Sequence, residues 1–295
     1  MSINDTTNPI VVAVDGSDPA LRAAGWAAAE ARRRGRRLRI VHTYEWPLRV
    51  YGPAIVDGAD LLAALETAAA AAVRDAAAAV ADFGVDAETE VRRGPVVPVL
   101  REVSEHAALL VLGSRGLGGF TGLLAGSVTV ALAAHAHCPV AVVRGDEPDP
   151  GGPVVVGVDG SPASEEAVAL AFDEAAVRGV DLVAVHAWTD APMPLTPAGG
   201  HVPELDWTAL AEEAAETLGE RLAGWREKYP QVTVRRVVEH DRPAHALLEA
   251  AKDAGLLVVG SRGRGGFAGL ALGSVSQAVI HHAGCPVIVA RPVNT

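Results

Sequence analysis

Residues 10–14, Ile-Val-Val-Ala-Val, form an unbroken apolar run, mostly β-branched, which is the pattern of a strand covered on both faces. Asp15-Gly16-Ser17 closes the run, and Ala20, Ala24, Ala27, Ala28 and Ala31 then recur at helical spacing as far as Gly35, with Ser17 in the N-cap place. A second strand is predicted over Leu38–Thr43. Beyond Pro47, Gly52 and Pro53, the positions Leu61, Leu65, Ala68, Ala72, Ala76 and Val80 predict a long helix ending near Gly84. A strand over Val85–Val91, a helix over Val96–Glu105, a strand over Ala108–Leu112, a helix over Val128–Ala134 and a strand over Val140–Val143 follow. Strands that alternate with helices predict an α/β fold, a mainly parallel sheet with helices on both faces.

The pattern then begins again. Gly145-Asp146-Glu147-Pro148-Asp149-Pro150-Gly151-Gly152-Pro153 is nearly all breakers and acids, as a domain boundary is expected to be. Val154–Val158 with Asp159-Gly160-Ser161-Pro162 repeats the first strand and cap, now with proline early in the helix. Ala184-Val185-His186-Ala187 repeats Ile40-Val41-His42-Thr43, and Cys285-Pro286-Val287 repeats Cys138-Pro139-Val140. A period near 145 residues is far longer than the roughly 20–50 of solenoid repeats, so each copy is expected to hold its own core. The expected domains are residues 1–145 and 154–295, with 146–153 as the linker.

Composition narrows the function classes. The chain has 295 residues, 49% of them hydrophobic, and a net charge of −11. That charge argues against a nucleic-acid module. No stretch approaches the ~18 uncharged apolar residues of a membrane span, and the polar start has no basic-then-apolar signal pattern, so a cytoplasmic protein is expected. Cys138 and Cys285 occupy matching places in the two copies, which predicts buried free thiols rather than a disulfide. His135, His137 and Cys138 have the residue types of a soft metal site, but the second copy offers only His282 and Cys285 with Gly284 between them. A helix end followed by a buried strand is the better account. Trp207, Leu210, Ala214, Leu218, Leu222 and Trp225 read as the core stripe of a helix, not a base-stacking platform.

The longest shared stretch carries the candidate chemistry. Gly113-Ser114-Arg115-Gly116 with Gly126-Ser127, and Gly260-Ser261-Arg262-Gly263 with Gly273-Ser274, both fit G-x-x-G-x(9)-G-S, and each lies between a strand and a helix. Strand, glycine loop and helix N-terminus together suit phosphate. Neither loop has the lysine of a P-loop, and Gly116–Gly122 misses the dinucleotide spacing by one place. Asp15 and Asp159 read either as helix caps or as ligand contacts. Arg115 and Arg262 read either as phosphate partners or as solubilising charges. Arg264 stands where the first loop has Leu117, which leads us to expect the tighter triphosphate site in the second copy.

With Val14-Asp15-Gly16-Ser17, Val41-His42, both glycine loops and Cys138-Pro139-Val140 in view, the chain resembles a tandem universal stress protein along nearly its full length. The resemblance implies two doubly wound domains, each a five-stranded parallel sheet of order 3-2-1-4-5, with the crevice where the winding reverses. It also implies ATP in both copies, since the family's ATP-binding members carry this glycine pattern. Carried over by position, the first site is Ala13, Asp15, Thr43, Gly113, Ser114, Arg115, Gly116, Leu117, Gly118, Gly119, Gly126, Ser127 and Val128. The second is Gly157, Asp159, Ala187, Asp190, Gly260, Ser261, Arg262, Gly263, Arg264, Gly265, Gly266, Gly273, Ser274, Val275 and Ser276. Whether magnesium accompanies the nucleotide stays open.

Three functions compete at this point: an ATP-binding switch in stress survival or growth control, a slow ATPase or adenylyl-transferring enzyme, and a nucleotide-free scaffold. The first is favoured, because only Asp15 and Asp159 could serve catalysis and the charge-stabilising lysine of fast phosphoryl transfer is missing. The resemblance further implies an unidentified protein partner, and pairing through the last strand of each copy. The halves are therefore expected to dock, and a homodimer fits the same apolar edges.

Overall fold

The computed structural model describes residues 8–45, 58–114, 116, 125–144, 151–189, 207–263 and 272–291. The first half runs β1 (Ile10–Ala13), α1 (Asp18–Arg34), β2 (Leu38–Tyr44), α2 (Gly58–Ala79), β3 (Ala87–Arg93), α3 (Val96–Val103), β4 (Leu109–Gly113), α4 (Ser127–His135) and β5 (Val140–Val143). The second half repeats it as β6 (Val154–Gly157), α5 (Pro162–Arg178), β7 (Leu182–Trp188), α6 (Trp207–Lys228), β8 (Val234–His240), α7 (Pro243–Ala250), β9 (Leu256–Gly260), α8 (Ser274–His282) and β10 (Val287–Ala290).

Capping fixes where the first helix of each half starts and stops. Ser17 and Ser161 accept the backbone N–H of Ala20 (3.4 Å) and Ser164 (3.2 Å). Gly35 and Gly179 end these helices in the left-handed region, at φ 58° and 68°. Arg32, Arg33 and Arg34 crowd the last turn of α1, where the helix dipole favours cations.

The ten strands form one sheet, in the order β3-β2-β1-β4-β5-β10-β9-β6-β7-β8. Every pairing within a half is parallel, and the order 3-2-1-4-5 is present in both. The halves meet through an antiparallel β5–β10 pair with Ile288 opposite Ala141. The carboxyl ends of the two five-strand sets therefore point in opposite directions, and β3 and β8 are the outer edges. Helices α1, α2, α5 and α6 cover one face of the sheet, α3, α4, α7 and α8 the other, and each hydrophobic layer runs through both halves.

Two elements depart from the pattern reading. The buried stripe of α2 is Ala69, Ala72, Val73 and Ala76, continued by Val80 just past its end, while Ala68 is exposed, because a run of alanines carries no periodicity to read. The third strand begins at Ala87 rather than Val85. Leu38 N–H takes the Asp86 carbonyl at 2.8 Å, which starts the ladder there and leaves Val85 packed on the core.

Where α1 and α5 meet, Arg34 and Arg178 each bond both Glu30 and Glu174. Arg34 reaches Glu30 Oε1 at 2.5 Å and Glu174 Oε1 at 2.7 Å, and Arg178 reaches Glu174 Oε2 at 2.9 Å and Glu30 Oε2 at 2.6 Å. Asp173 adds a further oxygen to Arg34 at 2.6 Å. These two arginines and two glutamates are at most 5% exposed. Each charge is thus paired at least twice inside the helix layer, the condition under which burial of ions is tolerated.

Candidate functional site

Each site begins where the first strand of its half ends. Gly16 (φ 84°) and Gly160 (φ 74°) occupy the left-handed region, so the turns Asp15-Gly16-Ser17 and Asp159-Gly160-Ser161 need glycine there. Asp15 Oδ1 accepts both the N–H (3.1 Å) and the hydroxyl (2.6 Å) of Ser17, and Asp159 Oδ1 accepts the Ser161 N–H at 2.9 Å. The neighbouring strand braces the same corner. His42 Nδ1 donates to the Val14 carbonyl at 2.8 Å, and His186 Nδ1 to that of Val158 at 2.7 Å. These bonds place the ring proton on Nδ1 and hold the carbonyl just ahead of each aspartate.

The opposite wall is the base of the glycine loop. Ser114 N–H donates to the Val143 carbonyl at 3.0 Å and the Ser114 carbonyl accepts from Gly126 at 3.0 Å, so the two ends of the loop are joined to each other and the first of them to the end of β5. In the second half Ser261 bonds Ala290 (3.0 Å) and Gly273 (2.8 Å) in the same way. A hydroxyl one turn into the following helix fastens the clamp: Thr129 donates to the Gly113 carbonyl at 3.2 Å and Ser276 to that of Gly260 at 2.6 Å. Ser276 was expected to contact phosphate. It is 3% exposed and directs its hydroxyl to the loop base, as Thr129 does, so we place it in the frame of the site.

The glycines have separable roles. A Cβ on Gly113 would stand 2.9 Å from the Pro19 carbonyl, and one on Gly260 would stand 2.7 Å from the Ala163 oxygen. These two residues let the first turn of α1 or α5 lie against the neighbouring strand. A Cβ on Gly116 would instead overlap Asp15 Oδ2, and one on Gly263 would stand 2.6 Å from Asp159 Oδ2. Loop and aspartate thus face each other across the strand 1 to strand 4 crevice in both halves.

Gly126 and Gly273 are the N-cap residues of α4 and α8, extended at φ −72°, and have no side chain to cap those helices. Ser127, Val128, Ser274 and Val275 form the opening turns. Backbone N–H groups there, with the positive end of the helix dipole, suit an anion. Ala13 ends β1 and Thr43 lies on β2, with Gly157 and Ala187 in the matching places on β6 and β7. Arg262 is exposed. Arg115, Leu117, Gly118, Gly119, Asp190, Arg264, Gly265 and Gly266 lie outside the described residues.

The two crevices are not identical. A Cβ on Gly157 would meet Leu247 Cδ1 at 3.1 Å, where the first half accommodates Ala13. Trp188 and His240 stack at 4.4 Å between ring centroids at the ends of β7 and β8, where the first half pairs Tyr44 with Arg93. Sequence reading did not give roles to His42, His186 or Thr129; their recurrence at the repeat spacing was the available signal.

Cys138 and Cys285 are free and buried in the hydrophobic layer that holds α3, α4, α7 and α8. Burial pushes their thiols up, to about 12 and about 11. His135 ends α4, in its last turn. Among the described residues no group of three or more His, Cys, Asp or Glu is placed to hold a metal ion. Among them, too, no helix is long and apolar enough to cross a membrane.

Comparison with known proteins adds three findings. The model of the universal stress protein family matches the chain twice, over residues 6–144 and 152–291. A universal stress protein of Mycobacterium tuberculosis (strain ATCC 25618 / H37Rv) is 46% identical over 296 residues, covering 96% of both chains; a second from that strain is 43% identical over 312 residues, covering 99% of this chain and 97% of its own. Among solved structures, a universal stress protein from Archaeoglobus fulgidus DSM 4304 superposes with a TM-score of 0.69 at 21% identity, covering 97% of this chain and 98% of its own.

Proposed function

Because the chain belongs to the universal stress protein family, its paired crevices call for one kind of ligand, and we propose that each takes up ATP. Occupancy then stabilises a conformation that a protein partner reads. The carrying observation is the pairing of Asp15 with Gly116 and of Asp159 with Gly263 across a clamped loop that opens onto a glycine-capped helix. The backbone amides that open α4 and α8 would hold the phosphates. The strand ends at Ala13 and Thr43, or Gly157 and Ala187, would border the adenosine. When bound, the nucleotide supplies charge and binding energy, and the chain's residues orient it. A ligand present at a hundred times its Kd stabilises a fold by about 2.7 kcal/mol, enough to bias a conformational equilibrium strongly.

This reading places no catalytic step at the site. Slow hydrolysis is the second reading, with Asp15 and Asp159 as the acids near the phosphates. A homodimer, if formed, would have to use a surface other than β5 and β10, whose edges are already paired. We assign the protein to the cytoplasm as part of the same proposal. Mass spectrometry of the denatured, purified chain and calorimetry with added ATP test the reading together. It expects ATP carried through purification or bound at two per chain; a chain that neither carries nor binds ATP refutes it. Multiple turnovers on prolonged incubation would favour the enzymatic reading.

A further inference from the structure

A helix leaves its last carbonyls without partners inside the helix. In α4 and in α8, an arginine from the opposite half takes one of those carbonyls. The antiparallel β5–β10 pair brings the end of each strand beside the start of the other, which is where the other half's phosphate-facing helix finishes. Arg144, immediately after β5, donates through Nη1 to the His281 carbonyl in the last turn of α8. Arg291, immediately after β10, donates to the Ala133 carbonyl of α4 at 2.9 Å. Arg101 adds a bond to His135 O at 3.2 Å, so the end of α4 is held from both halves.

The residue just before each arginine anchors its own half's glycine loop. Val143 O receives Ser114 N–H, and Ala290 O receives Ser261 N–H, each at 3.0 Å. Two continuous chains of contact result. One runs from the first loop through Val143 and Arg144 to α8, whose far end opens on the second site. The other runs from the second loop through Ala290 and Arg291 to α4, whose far end opens on the first. Helices of nine residues span about 14 Å and move as rigid rods, so a hold on one end sets the position of the other.

We infer that Arg144 and Arg291 are positioning residues, each for the nucleotide site of the opposite half, and that through them the two sites bind cooperatively. The inference rests on the nucleotide reading above. Filling one loop fixes the strand end beneath it, seats the arginine on the other half's helix and so presents that helix start to its own ligand. Charge acts in the same direction at one end. Burial and then the nearby charge of Arg262 hold the Arg291 guanidinium below its ordinary value. A phosphate neutralising Arg262 would relieve that repulsion and strengthen the bond to α4. Coupling between sites is reciprocal, so either site filled first has the same effect on the other.

Calorimetric titration of the full chain with ATP tests this. In a chain whose second site is disabled by Gly273→Asp, adding Arg291→Gln should weaken the first site about five-fold or more, and Arg291→Lys should recover part of the loss. Arg144→Gln, in a chain with Gly126→Asp, should do the same to the second site. An unchanged Kd in both settings overturns the inference while two ATP per wild-type chain leaves the nucleotide reading standing. Absence of ATP binding to the wild-type chain removes both. If the glutamine variants fail to fold, hydrogen exchange on the Gly273→Asp chain alone decides: ATP in the first site should slow exchange at the end of α8 and the turn to β10, and no change there overturns the inference.

Discussion

Asp159 Oδ2 lies 2.6 Å from the point where a Cβ on Gly263 would be. The glycine is therefore needed for a carboxylate to stand against the loop, and not for backbone freedom. A carboxylate is the far end of a mobile side chain, so Gly263→Ala can be absorbed by turning Asp159 aside. We predict a folded protein whose second site binds ATP about ten-fold more weakly, a loss of about 1.4 kcal/mol, while the first site keeps all of its own contacts. Site-resolved calorimetry checks this, and unchanged affinity at the second site would remove Asp159 from the ligand.

Gly113 should respond differently. Its Cβ would meet the Pro19 backbone at 2.9 Å, and backbone at a helix start has nowhere to go. Gly113→Ala is expected to destabilise the fold by about 1–3 kcal/mol, the usual cost of overpacking. Urea denaturation of this variant beside Gly126→Ala, whose Cβ would meet nothing closer than 3.8 Å, separates the two kinds of glycine.

Removing one member of the buried ring should be costly. Arg178→Met leaves Glu30 and Glu174 each short of a partner in a helix layer closed to water. The expected loss is about 3–5 kcal/mol, and replacing Glu30, Arg34, Asp173, Glu174 and Arg178 together with apolar residues of similar volume should recover most of it. A combined variant as unstable as the single one would show that the pairing itself, and not the stranded charge, carries the stability.

The same ring predicts an acid limit. Burial pushes the Glu174 carboxyl up, but Arg34 and Arg178 outweigh burial and hold it below the usual range. A carboxyl depressed in the folded state gives stability that is fully present above its unfolded pKa and is lost as pH falls through the folded one. Unfolding free energy should therefore be level above about pH 5 and fall below about pH 4, from the ordinary carboxylate range downward. In Glu174→Gln that fall should be shallower. Denaturation series at stepped pH measure it, and parallel slopes in the two proteins would contradict the assignment.

Cys138 and Cys285 should resist thiol reagents. With their thiols at about 12 and about 11 and both side chains buried, alkylation at pH 8 should proceed only after unfolding. Rapid labelling of the native chain would show that these strands open locally.

Much of the fold could be read from local chemistry. Ser17 with Gly35 and Ser161 with Gly179 mark their helices because capping is decided within a few residues. Strand order followed from a resemblance, since periodicity says nothing about which strands are neighbours. The Arg34–Glu174 bond joins residues 140 positions apart and leaves no local trace. It could still have been suspected, because Glu30 and Arg34 recur as Glu174 and Arg178 at the repeat spacing, on helix faces where alanine is the rule. The loop glycines were read as a single anion cradle. Their separate duties toward Pro19 and Asp15 emerge only once α1 and β4 are side by side.

The β5–β10 ladder has a consequence for stoichiometry. Had the two halves been separate chains, this interface would form and dissolve with their concentration. Joined by one linker, they meet at an effective concentration set by the tether. Dilution cannot part the two crevices, so the protein presents the same paired surface whether it is scarce or abundant. A cell that raises its level changes how many such pairs exist, and leaves the nature of each pair unaltered.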